Sequence, residues 1–275
     1  MTRSILLFLL ACAAPASAVV IRDDVPDIRY RMPASEFPAL ADLPGEGHGV
    51  LVASQWVLTA AHAVSWQPSA DVVVVAGTPR AVQQVVIHPG YKKPPQTMID
   101  AALKSGDWES FFKFLESIDD IALIQLADPI PDVAPVPIYE GSALGKIVRI
   151  MGRGATGTGA KGHPLQGPNR TDLRHGYNRI TVSAGRWIGY RFDEPPKALP
   201  LEASIGSGDS GGPILVAVGA TWHLAGINAW KRGLVIGNAV HPGRYGETSY
   251  GVRLAHYADW IEQTIAADTA IAELR

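Results

Sequence analysis

The chain has 275 residues, of which 47% are hydrophobic and 18% charged, with a formal net charge of −2. That apolar fraction excludes a disordered chain, and a near-neutral balance without a basic stripe excludes nucleic acid as a partner. The length allows one large domain or two modest ones, each with a core of its own.

Residues 1–18 read as an export leader. "MTRS" supplies a positive start, "ILLFLLACAA" a short apolar centre, and Ala16, Ser17 and Ala18 the small residues that a signal peptidase accepts. The apolar run is too short to stay in a membrane as an anchor, and no later stretch is long enough for a span. Cleavage after Ala18 would give a secreted or periplasmic product beginning at Val19. The single cysteine, Cys12, lies within that leader. "LLAC" is also a weak lipoprotein box, the lesser reading because Leu10 fits that box poorly. A mature chain from Val19 has no thiol, so packing alone must hold it together.

From there the pattern is that of short strands. "GVLVAS" (49–54), "DVVVVA" (71–76), "QQVVIH" (83–88), "IALIQL" (121–126), "KIVRIMG" (146–152), "GPILVAV" (212–218) and "WHLAGINAW" (222–230) are apolar and often β-branched. Gly, Pro, Asn and Asp clusters separate them. Many strands without alternating helices predict an all-β barrel or sandwich. Two segments break this pattern: 97–118, which has helical spacing in its second half, where Trp108, Phe111, Phe112 and Leu115 share a side, and 257–274, a helix in which Trp260, Ile261, Thr264 and Ile265 do. "PDVAPVPIYEGS" (131–142), with three prolines, reads as the connector between two halves. "GRGATGTGAKG" (152–162) lacks the spacing of a phosphate loop and reads as a mobile surface loop.

Three blocks carry chemistry. "SQWVLTAAHAV" (54–64) puts His62 directly after a buried strand, and "DDIALIQL" (119–126) puts Asp120 at the mouth of another. "SIGSGDSGGPILVAV" (204–218) encloses Ser210 between an aspartate and two glycines. A serine hydroxyl is a poor nucleophile until a base takes its proton, and the base needs a third group to orient it. Asp119 is the rival to Asp120, ranked lower because adjacent side chains of an extended segment point to opposite faces.

"LTAAH", "DIALIQL" and "GDSGGP", in that order, resemble the catalytic blocks of the trypsin/chymotrypsin family of serine proteases, as a bacterial-type member without disulfides. "YGVRLAHYADWIEQTIA" (250–266) is similar to the family's passage from a pocket strand into its terminal helix. The resemblance runs from about Val19 onward. It implies two packed six-stranded antiparallel β-barrels, a C-terminal α-helix and a helical insertion before the catalytic aspartate. The expected division is a leader at 1–18, barrels at 19–135 and 136–255, and a terminal helix at 256–275. It further implies Ser210 as nucleophile, His62 as general base, Asp120 as its orienter, and the N–H groups of Gly208 and Ser210 as the oxyanion hole.

The resemblance also assigns a binding cleft. Ser204 stands at the pocket floor where an aspartate would select Arg or Lys, which implies a neutral or apolar residue before the cut. Gly251 is expected to leave a pocket wall open. Lys231 stands where a glycine often flanks the mouth, so that it either closes the pocket in part or attracts acidic substrates. Ala229 and Trp230 are the edge that pairs with substrate backbone. Gly206 replaces a bracing cysteine. No "IVGG"-type activation site is present; Val19, freed by leader cleavage, is the group expected to pair with Asp209.

"GDSGG" also satisfies the G-x-S-x-G elbow of α/β-hydrolases, but there the serine begins a helix and its histidine follows it in sequence. Here Pro213 and a β-branched run follow the serine, and His62 precedes it; His223, His241 and His256 have nothing catalytic around them. The reading is therefore a secreted serine endopeptidase. A non-catalytic binding module on the same fold and an esterase using the same triad are the alternatives. The expected partner is a protein or peptide substrate, with a protein inhibitor as a second class. The eight histidines are scattered and no H-E-x-x-H occurs, so no metal or other cofactor is expected.

Overall fold

The computed structural model describes residues 19–65, 71–164, 172–236 and 239–272. The leader expected at 1–18 lies outside them. In chain order the first half comprises β1 (Val20–Ile21), β2 (Leu40–Asp42), β3 (His48–Ala53), β4 (Trp56–Thr59), the helical turn α1 (Ala61–Val64), β5 (Val72–Val75), β6 (Thr78–Ile87), helices α2 (Gln96–Ser105) and α3 (Glu109–Ser117), and β7 (Ala122–Leu126). The second half comprises β8 (Ile147–Gly152), β9 (Gly157–Thr158), β10 (Arg174–Ala184), β11 (Trp187–Arg191), β12 (Ala203–Ser204), β13 (Pro213–Val218), β14 (Thr221–Arg232), β15 (Leu234–Ile236), β16 (Ala239–His241), β17 (Thr248–Arg253) and helix α4 (Ala258–Ala272).

Two closed six-stranded barrels follow from the pairing, one in the order β2-β3-β4-β7-β6-β5 and one in the order β10-β11-β17-β14-β13-β8. Their neighbours are antiparallel throughout. Local chemistry drives the hairpins. Ala76 and Gly77, both with positive φ (51° and 75°), form the two-residue turn that joins Val75 to Thr78, as the right-handed strand twist prefers. All five residues of β7 are buried because the strand runs between β4 and β6 with both faces covered. One hydrophobic cluster is continuous across both barrels, running from Leu51, Leu58 and Leu123 to Leu215, Leu224 and Ile227. The cleft between the barrels therefore rests on a shared core.

Two expectations change. Residues 19–32 do not belong to the first barrel: Val20 pairs with Ser204 and Gly157, and the Met32 N–H donates to the Leu173 carbonyl. The first barrel begins at Leu40. The segment 152–162 is no surface loop, because β9 within it is the parallel partner of β1, and Gly154 and Ala155 are buried. Glycine is needed at Gly157 because the chain folds back on itself there: a Cβ would meet the Gly162 carbonyl oxygen at 1.9 Å.

The helical spacing marks only the second half of this segment, which forms α3; α2 precedes it from Gln96 and is closed by Gly106 in the left-handed region. α4 docks as expected, with Ile261 buried and Trp260 edge-on to His88 at 5.0 Å. No helix among the described residues is long and apolar enough to cross a membrane.

Candidate active site

His62 lies in α1, one turn that begins as β4 leaves the barrel, with Ala60 and Ala61 completely buried beside it. Small residues are needed there because the turn sits directly on the core. Asp120 precedes β7, the neighbour of β4, so strand pairing brings the two residues together. Oδ1 of Asp120 accepts the backbone N–H of His62 at 2.8 Å, and Oδ2 faces Nδ1 at 2.7 Å. A carboxylate only accepts, so Nδ1 carries the proton and Nε2 is left with its lone pair. That nitrogen is 2.7 Å from Ser210 Oγ, which donates to it. Asp120 is 4% exposed, whereas the His62 side chain is 30% exposed and opens to the cleft. Burial pulls the imidazole pKa down, but the Asp120 carboxylate, helped by Glu46, outweighs it and the net shift is upward.

Asp119 goes elsewhere. It accepts from Arg186 Nε at 2.5 Å and from the Tyr257 hydroxyl at 2.7 Å, on the opposite face of the strand entrance.

The loop bearing Ser210 comes from the second barrel and is gripped by the first. The Gly47 N–H donates to the Gly208 carbonyl at 3.2 Å and the His48 N–H to the Ser210 carbonyl at 2.7 Å. Gly208 and Gly211 take positive φ values of 86° and 75°, which glycine adopts without strain. With both carbonyls turned toward the first barrel, the N–H groups of Gly208 and Ser210 donate to no protein acceptor among the described residues. Two such donors beside a hydroxyl form a cradle for a developing oxyanion. Ser210 leads into the strand β13 and not into a helix, which excludes the elbow of an α/β-hydrolase.

Asp209 points the other way, into complete burial. Gly206 and Gly154 each donate a backbone N–H to it at 2.8 Å. Burial pushes its pKa up to about 6, against the pull of those two N–H groups, of Lys231 and of the Val19 backbone N–H. Val19 is 1% exposed and holds a φ of 61°, a left-handed conformation unusual for a β-branched residue.

The expected cleft residues divide. Ala229 and Trp230 lie on β14 at the register shift where the strand passes β17. Trp230 is sandwiched between Tyr250, stacked at 4.2 Å, and Phe112 of α3, stacked at 6.0 Å. Arg232 pairs with Glu109 of the same helix. The insertion thus covers the indole. Ser204 is 1% exposed, its hydroxyl paired with that of Ser249 at 2.9 Å.

Gly251 lies against Ile214. A Cβ there would meet Ile214 Cδ1 at 2.2 Å inside the barrel, and the residue facing Ser204 is Ser249, two positions earlier on β17. Sequence reasoning missed Ser249, Glu247, His163 and Tyr190. The alternation along 248–253 does put Ser249 on the same face as Gly251, which was the available signal. Lys231 turns inward to His163, Ile205 and Glu247. Among the described residues no cluster of His, Cys, Asp and Glu could hold a metal.

A hydroxyl donating to an imidazole that in turn donates to a buried carboxylate, beside two unengaged N–H groups, is equipped for acyl transfer. Comparison with known proteins agrees with this geometry. The family profile described as Trypsin matches residues 30–261. A tryptase from Mus musculus is 28% identical over 247 residues, covering 80% of this chain and 78% of its own length. Human transmembrane protease serine 5 is 42% identical over 66 residues, which is 24% of this chain and 13% of that protein.

Proposed function

The chain belongs to the trypsin family of serine-type endopeptidases, and we propose that within it Ser210 is the nucleophile, His62 the general base and acid, and Asp120 the group that orients His62. The supporting observation is the unbroken line from Asp120 through His62 to Ser210, with both side-chain bonds at 2.7 Å. Ser210 Oγ attacks the scissile carbonyl carbon as its proton passes to His62 Nε2. The oxyanion is received by the N–H groups of Gly208 and Ser210, donors worth about 10²–10³ in rate each. Collapse breaks the C–N bond, the leaving amine takes the proton from His62, and water then releases the acyl group by the same steps.

A neutral residue is preferred before the cut. Ser204 offers no charge at the pocket floor, and the ammonium of Lys231 lies 3.5 Å from the carboxylate of Glu247, so neither has a free charge to offer a substrate. The backbone edge at Ala229 and Trp230 receives the substrate strand, while α3 limits the room above Trp230.

Export and activation are coupled. Removal of residues 1–18 turns the Val19 N–H, already directed at Asp209, into an ammonium that neutralises the buried carboxylate. The same cut frees Val19 from its left-handed φ. No separate zymogen stage is required.

Digestion of a peptide library by the wild type and Ser210→Ala in parallel tests the assignment. The variant is expected to lose activity by roughly 10⁶. Equal digestion by both would overturn it, and a wild-type preference for Arg or Lys would overturn the pocket reading.

A further inference from the structure

Lys231 follows Ala229 and Trp230 on β14, and the acyl-transfer chemistry has no use for it. Its Nζ donates to the carbonyl of Ile205, the residue beside Ser204 at the pocket floor, at 2.7 Å. It also donates to His163 Nε2 at 2.6 Å. His163 Nδ1–H donates to the Pro164 carbonyl at 2.8 Å, which leaves the Nε2 lone pair for the ammonium. Glu247 Oε1 stands 3.5 Å from Nζ and forms no hydrogen bond, whereas Oε2 accepts the Gly243 N–H at 2.8 Å. Glu247 is completely buried, Ser204 and Ser249 are 1% and 0% exposed, and the Lys231 side chain is 14% exposed.

Building on the acyl-transfer reading above, we propose that Lys231 occupies the specificity pocket as an internal stand-in for a substrate lysine. Glu247 is its carboxylate partner, and the enzyme admits only a small residue before the cut. The ammonium is already matched by Glu247, so an acidic side chain gains little from it. A large side chain would have to expel Lys231 and leave a buried carboxylate uncompensated, an arrangement proteins avoid. The same logic gives the converse. With Lys231 gone, the pocket is open and Glu247 is left to attract a cation.

Steady-state kinetics on peptides differing only in the residue before the cut decide this. Wild type is expected to favour Ala and Gly over Phe, Glu and Arg. Lys231→Gly is expected to gain about tenfold or more in kcat/KM for Arg and Lys substrates relative to Ala. In Lys231→Gly with Glu247→Gln, the gain moves to Phe and Leu. Lys231→Met keeps the pocket filled and keeps the small-residue preference, and it decides alongside the wild type if the glycine variant does not fold.

Labelling of Ser210 by a fluorophosphonate monitors the assembled triad in each protein, independent of the pocket. Wild type that cleaves after Phe or Arg as readily as after Ala overturns the proposal, as does a labelled Lys231→Gly with an unchanged preference, or a Lys231→Met that gains the large residues. A wild type that resists labelling would instead sink the acyl-transfer reading.

Discussion

The carbonyl oxygen of Ser210 accepts the backbone N–H of His48 at 2.7 Å, a bond that crosses from one barrel to the other and sets the direction of the nucleophile loop. Gly211, the next residue, makes that bond possible. It has a φ of 75°, and a Cβ on it would meet the His48 carbonyl oxygen at 2.0 Å. Gly211→Ala is therefore expected to lose activity by about 10²-fold or more, through displacement of the loop by the order of 1 Å. It should also lower the unfolding midpoint. Kinetics and thermal unfolding on the same sample check both, and an alanine variant with wild-type values of each would refute the account.

Asp120→Asn keeps the size of the side chain but replaces an acceptor by a donor. Both carboxylate oxygens now accept, one from the His62 backbone and one from the ring. An amide satisfies one of them only, and its NH₂ favours the wrong imidazole tautomer. A fall in kcat of about 10⁴ is expected, as for the same change in the family's prototype, with an unaltered near-ultraviolet circular dichroism spectrum. A loss of less than tenfold would show that the carboxylate does not orient the base.

The pH profile follows from the sign of the His62 shift. Burial lowers that pKa, but Asp120 and then Glu46 raise it further, and the net result lies above the ordinary imidazole value. The neutral ring is the base, so kcat/KM is full above the raised pKa and falls as pH drops through it. Glu46→Gln removes one negative charge and should move this acid limb to lower pH, with the maximum unchanged. A limb that stays in place, or moves up, contradicts the assignment.

Asp209 links stability to the N-terminus. In a chain extended beyond Val19, its pKa is raised to about 6, above the ordinary carboxylate value. Stability contributed by the protonated form is full below the ordinary value and is lost as pH rises through about 6. A chain beginning at Val19 supplies an ammonium and should escape that loss. Its thermal midpoint at neutral pH is expected to exceed that of an extended chain, and the gap should close on acidification. Mass spectrometry of the exported product should find Val19 first; a start well past Val20 would rule the pairing out.

The legible part of the molecule was the part written in local patterns. Strands such as 121–126 and 213–216 announce themselves as apolar runs because successive residues on both faces are buried. His62, Asp120 and Ser210 stand out because each flanks a strand, His62 after two alanines, Asp120 at the mouth of an apolar run and Ser210 before two glycines. β10 was not legible. Its buried positions include Arg174, satisfied by Asp27 at 2.6 Å, and Asn178, which donates to the Ala203 carbonyl at 2.9 Å. A strand that buries polar groups looks like a loop until its partners are known. Residues 152–162 mislead for a similar reason, since their glycines serve close packing against Asp209, Tyr245 and neighbouring backbone and not mobility.

What the chain by itself determined was the kind of enzyme: three short blocks, in a fixed order, whose chemistry makes sense only if they meet. What only the tertiary structure decided was where the side chain of Lys231 goes. The sequence alone leaves that side chain free to turn outward to substrate or inward to the fold. The choice lay with His163, Ile205 and Glu247, which approach its ammonium from three separate segments. A long flexible side chain goes wherever its charge is best matched, and that destination exists only once the barrels have closed.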